Sequence, residues 1–219
     1  MATRQLLAEL AALWQRSSGI EVSIESVGGV DAARRVQAGE AFDGVVLASD
    51  AIDKLIAGGK VLAGSRHDLV RSSVAAASKT GTPLPDISTE AALRSAIEAA
   101  PTIGYSTGPS GVALVKLFER WGILDALSPR IVQAPAGIPV GALVARGEVA
   151  LGFQQLSELM HLEGISVVGT LPEAVGITTV FSAATCAACT QRETVAKLFA
   201  FMNSADAAPV KLRHGMQPA

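Results

Sequence analysis

SVGGVDAARRVQAGEAFDGVVLASD, residues 26–50, decides the reading of the fold. It opens as a small, glycine-rich loop, and the residues from Asp31 to Ala38 then take helical spacing until Gly39 stops them. Gly44 to Ala48 is a short apolar run suited to a strand covered on both faces. Ser49 and Asp50 cap a further helix through Leu55 to Ala57, ended by Gly58 and Gly59. Loop, helix, strand, helix is the repeating unit of an α/β chain.

The same alternation extends in both directions. Upstream, Leu6, Leu7, Leu10, Leu13 and Trp14 predict a helix from Ala2 to Arg16, and Ile20 to Glu25 alternates apolar and polar as a strand does. Downstream, strands are predicted over Leu69–Ala77, Ile103–Tyr105, near Ile131, over Val149–Phe153 and along the extended run Ile177–Ala184. Helices are predicted from the Ser88 cap to Ala100, within Thr107–Trp121, over Val140–Ala145, over Glu193–Met202 and over Ala205–His214. Strands alternating with helices argue for parallel sheets, whose ligands sit at the carboxyl ends of strands.

Composition bounds the function. The 219 residues are 49% hydrophobic and 17% charged, with 18 basic against 20 acidic side chains and a net charge of -2. A chain so apolar buries a large core, and the absence of a basic stripe excludes nucleic acid as a partner. Charges, glycines and prolines interrupt every apolar run before it reaches the ~20 residues needed to span a bilayer, so membrane insertion is not expected. As it stands, with no signal segment before the first helix, the sequence reads as cytoplasmic; a signal segment omitted upstream makes it periplasmic.

Three strand-to-helix loops stand out. Residues 105–111, Tyr105 through Ser106 and Ser110 to Gly111, place hydroxyls and amide donors at a helix start, where free N–H groups and the macrodipole favour an anion. The loop is neither GxGxxG nor a Walker loop, so no nucleotide is implied, and a capped turn is the plainer reading. The loops at Gly28 and Gly29 and at residues 135–141 also put glycine where backbone turns sharply or approaches something closely.

In that order, residues 26–50, Gly108 to Ala113, Gly141 to Gly152 and Arg213 to Met216 resemble the molybdate-type periplasmic solute-binding family. The resemblance covers nearly the whole chain. It implies the two-lobed α/β, type 2 periplasmic-binding-protein fold, with a ligand cleft between lobes joined by two crossing strands. It places lobe one at residues 1–70 plus 185–219 and lobe two at 71–184. The family starts with a strand that has no counterpart here, so an incomplete beginning is expected.

Carried over residue by residue, the family's ligand positions fall at Ala2, near Gly29, at Ser110, near Pro139 and, for its ligand tyrosine, at Gln155. Two hydroxyls are lost, and proline has no N–H to donate. A bare tetrahedral dianion needs a closed ring of donors. Gln154, Gln155 and Ser110 suit a larger, planar carboxylate better, and Arg71 is either its bidentate partner or a structural ion pair. The expected contacts are therefore Gly28, Gly29, Arg71, Ser106, Ser110, Gly111, Pro139, Gln154 and Gln155, around a small anion and without a cofactor or metal.

Two function classes stay open. One is a solute-binding protein that closes on a small oxyanion or organic carboxylate and, if exported, serves an ABC-transporter membrane subunit. The other resembles the aconitate isomerase subgroup of the same fold, which moves a proton across an allylic system and needs a base in reach of a carbon acid. Glu25, at a strand end, and Tyr105 are its candidates, although Glu25 also reads as a solvated strand-end residue. Cys186 and Cys189 have CxxC spacing without a thioredoxin-like context or a second pair, and read as small buried thiols. His67, His161 and His214 are too dispersed for a metal site.

Overall fold

The stripe Leu6, Leu7, Leu10, Ala11 and Trp14 becomes the buried face of α1 (Arg4–Ser18), which stops at Gly19 in the left-handed region, φ 73°. The computed structural model describes residues 1–135 and 137–219, so Ala136 of the third glycine-bearing loop lies outside the described residues. The strand expected over Ile20–Glu25 is absent, and Ile20 and Ile24 remain 40% and 37% exposed. Alternation makes a strand only where a neighbour takes up the backbone hydrogen bonds, and no strand pairs with this segment among the described residues.

α2 (Gly29–Ala38), β1 (Gly44–Ala48) and α3 (Ser49–Ala57) follow. Val36, Val45, Leu47, Ile52 and Leu55 from these three elements pack together with Val61 and Ala184. β2 (His67–Lys79) is 13 residues long, and the boundary between two compact units falls inside it. The first unit is Met1–Ser72 with Thr179–Ala219, and the second is Ser73–Thr178.

The second unit contains α4 (Glu90–Ala99), β3 (Ile103–Tyr105), α5 (Pro109–Arg120), α6 (Leu124–Leu127), β4 (Ile131–Gln133), α7 (Val140–Arg146), β5 (Leu151–Gln155), α8 (Leu156–Leu159) and β6 (Ile165–Thr170). Thr89 caps α4, its Oγ1 accepting the Ala92 N–H at 3.1 Å. β3 runs parallel to β4 on one side and to β5 on the other. The second half of β2 is antiparallel to both β5 and β6. Among the described pairings the β4-β3-β5 trio is parallel and β2 meets β5 and β6 antiparallel, so the expectation of parallel sheets is corrected to a mixed arrangement. Crossover helices dictate direction only between strands consecutive in the chain, whereas β2 meets partners far along it.

Side chains of this sheet alternate between two cores. Val74, Ala76, Leu151 and Phe153 pack with Leu93 and Ile97 of α4 and Leu114 and Phe118 of α5. On the opposite face Val140, Leu143 and Val144 of α7 pack with Val149, while Ala75 and Ala77 meet Leu159 of α8. Each fully buried large side chain, Phe118 among them, stabilises by about 1.5–3 kcal/mol. β5 begins two residues later than its apolar run suggests. Val149 packs from the preceding turn, where the Thr102 hydroxyl accepts the Ala150 N–H at 2.8 Å, and the shift draws Gln154 and Gln155 into the strand.

β7 (Thr178–Thr185) returns the chain to the first unit, followed by α9 (Arg192–Met202), α10 (Ala208–Arg213) and β8 (Met216–Pro218). Within this unit β7 pairs antiparallel with β1, and β8 pairs antiparallel with Val70–Ser72 of β2. Leu6, Leu7 and Leu10 pack with Leu69, Val70, Ala183, Phe199, Met202, Val210 and Met216. Lys211, 2% exposed, donates from Nζ to the Leu69 carbonyl at 2.8 Å and to Asn203 Oδ1 at 3.1 Å. Burial pushes its ammonium below the ordinary lysine range.

Candidate functional site

Because β4, β3 and β5 are parallel neighbours, their carboxyl ends lie side by side in the second unit. Tyr105 stands opposite both Gln133 and Phe153 in register, so the loop after β3 and the turn after β5 leave adjacent strand ends. Ser106 and Ser110 both belong to the β3 loop and the first turn of α5. Their hydroxyl oxygens are 3.2 Å apart, and Ser110 is 4% exposed. The Gly108 N–H donates to Ser106 Oγ at 3.4 Å. Gly111 makes this possible: a Cβ there would overlap the Ser106 carbonyl oxygen and press on the Tyr105 ring.

At the end of β5, odd and even residues point opposite ways. Gln155, in step with Leu151 and Phe153, belongs to the α5 face, whereas Gln154 turns to the α7 face. Gln154 Oε1 accepts the Val140 N–H at 2.8 Å in a buried setting. Burial, the largest influence on it, pushes the half-buried Glu158 carboxyl above the usual carboxylate range. The Ser157 hydroxyl beside it is buried without a hydrogen-bond partner.

The other expected residues divide. Ser106, Ser110, Gly111, Gln154 and Gln155 share this end of the second unit. Pro139 stands at the head of α7, but the donor following it is occupied by Gln154, so the late-donor position is closed by the protein itself. Gly28 and Gly29 open α2 in the first unit. A Cβ at Gly29 would meet Leu47 at 3.8 Å and one at Gly28 would meet Asp31, also at 3.8 Å, both ordinary contacts within the protein. Arg71 lies exposed on β2 opposite Gln217. Glu25 does not end a strand: it sits in an irregular segment, with its side chain 59% exposed and paired at 2.7 Å with Arg35, which also holds Glu40. Tyr105 packs against the core of the second unit.

Glu158 closes the 154–158 segment that resembles the aconitate isomerase subgroup, but the sequence reading gives it no role of its own. Its remaining signal there is a carboxylate four residues after Gln154, across a strand-to-helix junction that no single periodicity spans. Among the described residues no group of three His, Cys, Asp or Glu side chains could hold a metal ion, and no helix is long and apolar enough to cross a membrane.

Known proteins agree with this architecture. An aconitate isomerase of a Pseudomonas species is 36% identical over 218 residues, covering 97% of this chain and 83% of that protein. The periplasmic molybdate-binding protein of Azotobacter vinelandii superposes with a TM-score of 0.81 at 21% identity, covering 100% of this chain and 96% of that one. The tungstate-binding protein TupA of Desulfovibrio alaskensis superposes with a TM-score of 0.67 at 16% identity, covering 98% and 93%. The fold is that of the two-lobed periplasmic binding proteins. The model of the bacterial extracellular solute-binding proteins matches residues 1–217, and the chain belongs to that family.

Proposed function

We propose that this solute-binding protein takes a small organic di- or tricarboxylate, received at the carboxyl ends of β3 and β5. The observation that carries the reading is the Ser106–Ser110 hydroxyl pair at the head of α5, a full three-turn helix, with Gln155 on the same face of the neighbouring strand. Hydroxyl and amide donors spread over two strand ends suit separated carboxylates. The closed donor position at Val140 weighs against a compact oxyanion, which needs its donors concentrated. Gly111 and Pro139 shape the backbone around this end, and Gln154 supports it from the α7 face. On the first unit, the open head of α2 at Gly28 and Gly29 and the exposed guanidinium of Arg71 are further proposed carboxylate contacts. An exported form of the chain hands its ligand to an ABC-transporter membrane subunit.

Thermal shift and calorimetry across citrate, tricarballylate, cis- and trans-aconitate, molybdate, tungstate and sulfate test this. A ligand that binds only the folded state raises Tm by mass action. Stabilisation by one or more organic acids is expected; strong stabilisation by molybdate or tungstate and by none of the acids overturns the reading.

A second reading is favoured by one observation, the half-buried carboxyl of Glu158 in the short helix that directly follows the β5 strand end. Together with the kinship to an aconitate isomerase, it supports an enzyme that shifts the double bond of an unsaturated tricarboxylate.

A further inference from the structure

We propose that Glu158 is the group that carries the proton in an allylic shift on an unsaturated polycarboxylate bound at the ends of β3 and β5. The inference rests on the catalytic reading and names the residue that reading requires.

Three placements favour Glu158 over other acids. It follows directly on β5, whose end adjoins the Ser106–Ser110 loop through the parallel pairing of β3 and β5. The strand end that carries it is braced, since the Gln154 amide is held by the buried Val140 N–H before any ligand arrives. It is half-buried beside Leu159, a core residue, whereas Glu25 is exposed and held by Arg35. Burial moves the Glu158 carboxyl in the direction a base needs when its substrate is a carbon acid, a stronger base being formed on deprotonation. The same bias toward the neutral form lessens repulsion when a polyanion binds.

The step balances without a co-reactant. The carboxylate of Glu158 removes a proton from the methylene carbon next to the alkene. The released electron pair spreads over the three-carbon allylic system and its carboxylate. The double bond moves by one carbon as the new carboxylic acid of Glu158 returns a proton to the far carbon. Nothing is oxidised or reduced, and substrate and product are isomers.

The test follows cis- and trans-aconitate in heavy water by proton NMR, for the intact chain and for Glu158→Gln and Glu158→Asp, with ligand affinity measured in parallel by calorimetry. The wild type is expected to interconvert the isomers with deuterium entering the methylene position. Glu158→Gln keeps the size and polarity of the side chain but cannot take a proton, and is expected to lose about 10²–10⁴-fold in rate while binding within a few-fold of wild type. Glu158→Asp, which keeps the charge but withdraws it by one methylene, is expected to retain a measurable rate at least about tenfold below wild type, and it decides the matter should the glutamine variant fail to fold. A wild type that binds aconitate without interconversion overturns the catalytic reading and the proposal with it. An active wild type whose Glu158→Gln variant keeps its rate, or whose Glu158→Asp variant is fully active, overturns the assignment to Glu158 alone.

Discussion

Gln154 Oε1 accepts the buried Val140 N–H at 2.8 Å, so the head of α7 is closed by a side chain from the neighbouring strand. Replacing Gln154 with Leu leaves that N–H buried and unsatisfied. The expected cost is about 1–3 kcal/mol, read as a fall in the denaturant midpoint with an unchanged slope. A variant as stable as wild type would mean that water reaches Val140.

Ser110→Ala and Gln155→Ala address the proposed ligand contacts. Losing one hydrogen bond to a charged ligand costs about 1.5–3 kcal/mol, roughly a 10- to 150-fold rise in Kd by calorimetry with the best organic acid. Unchanged affinity in both variants places the ligand elsewhere.

Gly111 and Gly29 separate a steric requirement from an open position. Gly111→Ala drives a methyl into the Ser106 carbonyl and should destabilise by at least the ~1–3 kcal/mol of an overpacked site, with loss of ligand binding. Gly29→Ala finds its nearest neighbour at 3.8 Å and is expected to fold normally, with a Tm within about 2 °C of wild type.

Acid should loosen the first unit through Asp68. The Arg66 guanidinium, and after it the Ser182 hydroxyl donating at 2.7 Å, hold the Asp68 carboxyl below the ordinary carboxylate range. A folded-state value below the unfolded one gives a contribution that is complete above the unfolded value of about 3.9 and disappears as pH falls through the lower folded value. Urea unfolding at neutral pH should therefore separate wild type from Asp68→Asn, and the gap should close toward pH values near 3 or below. A gap that widens in acid contradicts the assignment.

Cys186 and Cys189 are 2% and 4% exposed, and burial pushes the Cys186 thiol up to about 11, with Cys189 also raised. Both should resist a thiol reagent at neutral pH in the native chain and react completely in denaturant. Rapid native labelling would show that this corner opens readily.

Local pattern makes most elements readable: β1, α3 and β3 appear where the apolar runs put them, although Ala48 and not Ser49 or Asp50 takes the N-cap of α3, without a side-chain bond. Strand partners were less legible, since Ile20–Glu25 has the right alternation and no neighbour, while β8 is three residues whose only advertisement is their pairing with β2. At the site, Ser106 and Ser110 could be read because a helix head and its loop are contiguous. The Gln154–Val140 bond joins a strand to a helix 14 residues away, and the character of Glu158 comes from burial, which no local spacing encodes.

The second unit is a single run of chain, Ser73–Thr178, whereas the first is assembled from both ends, with Lys211 reaching back 142 residues to Leu69. During synthesis the inner segment emerges whole and has every partner it needs to fold. Residues 1–72 must remain unfinished until the last forty or so leave the ribosome. The half that emerges first is thus completed last, with the apolar face of α1 uncovered in the interval.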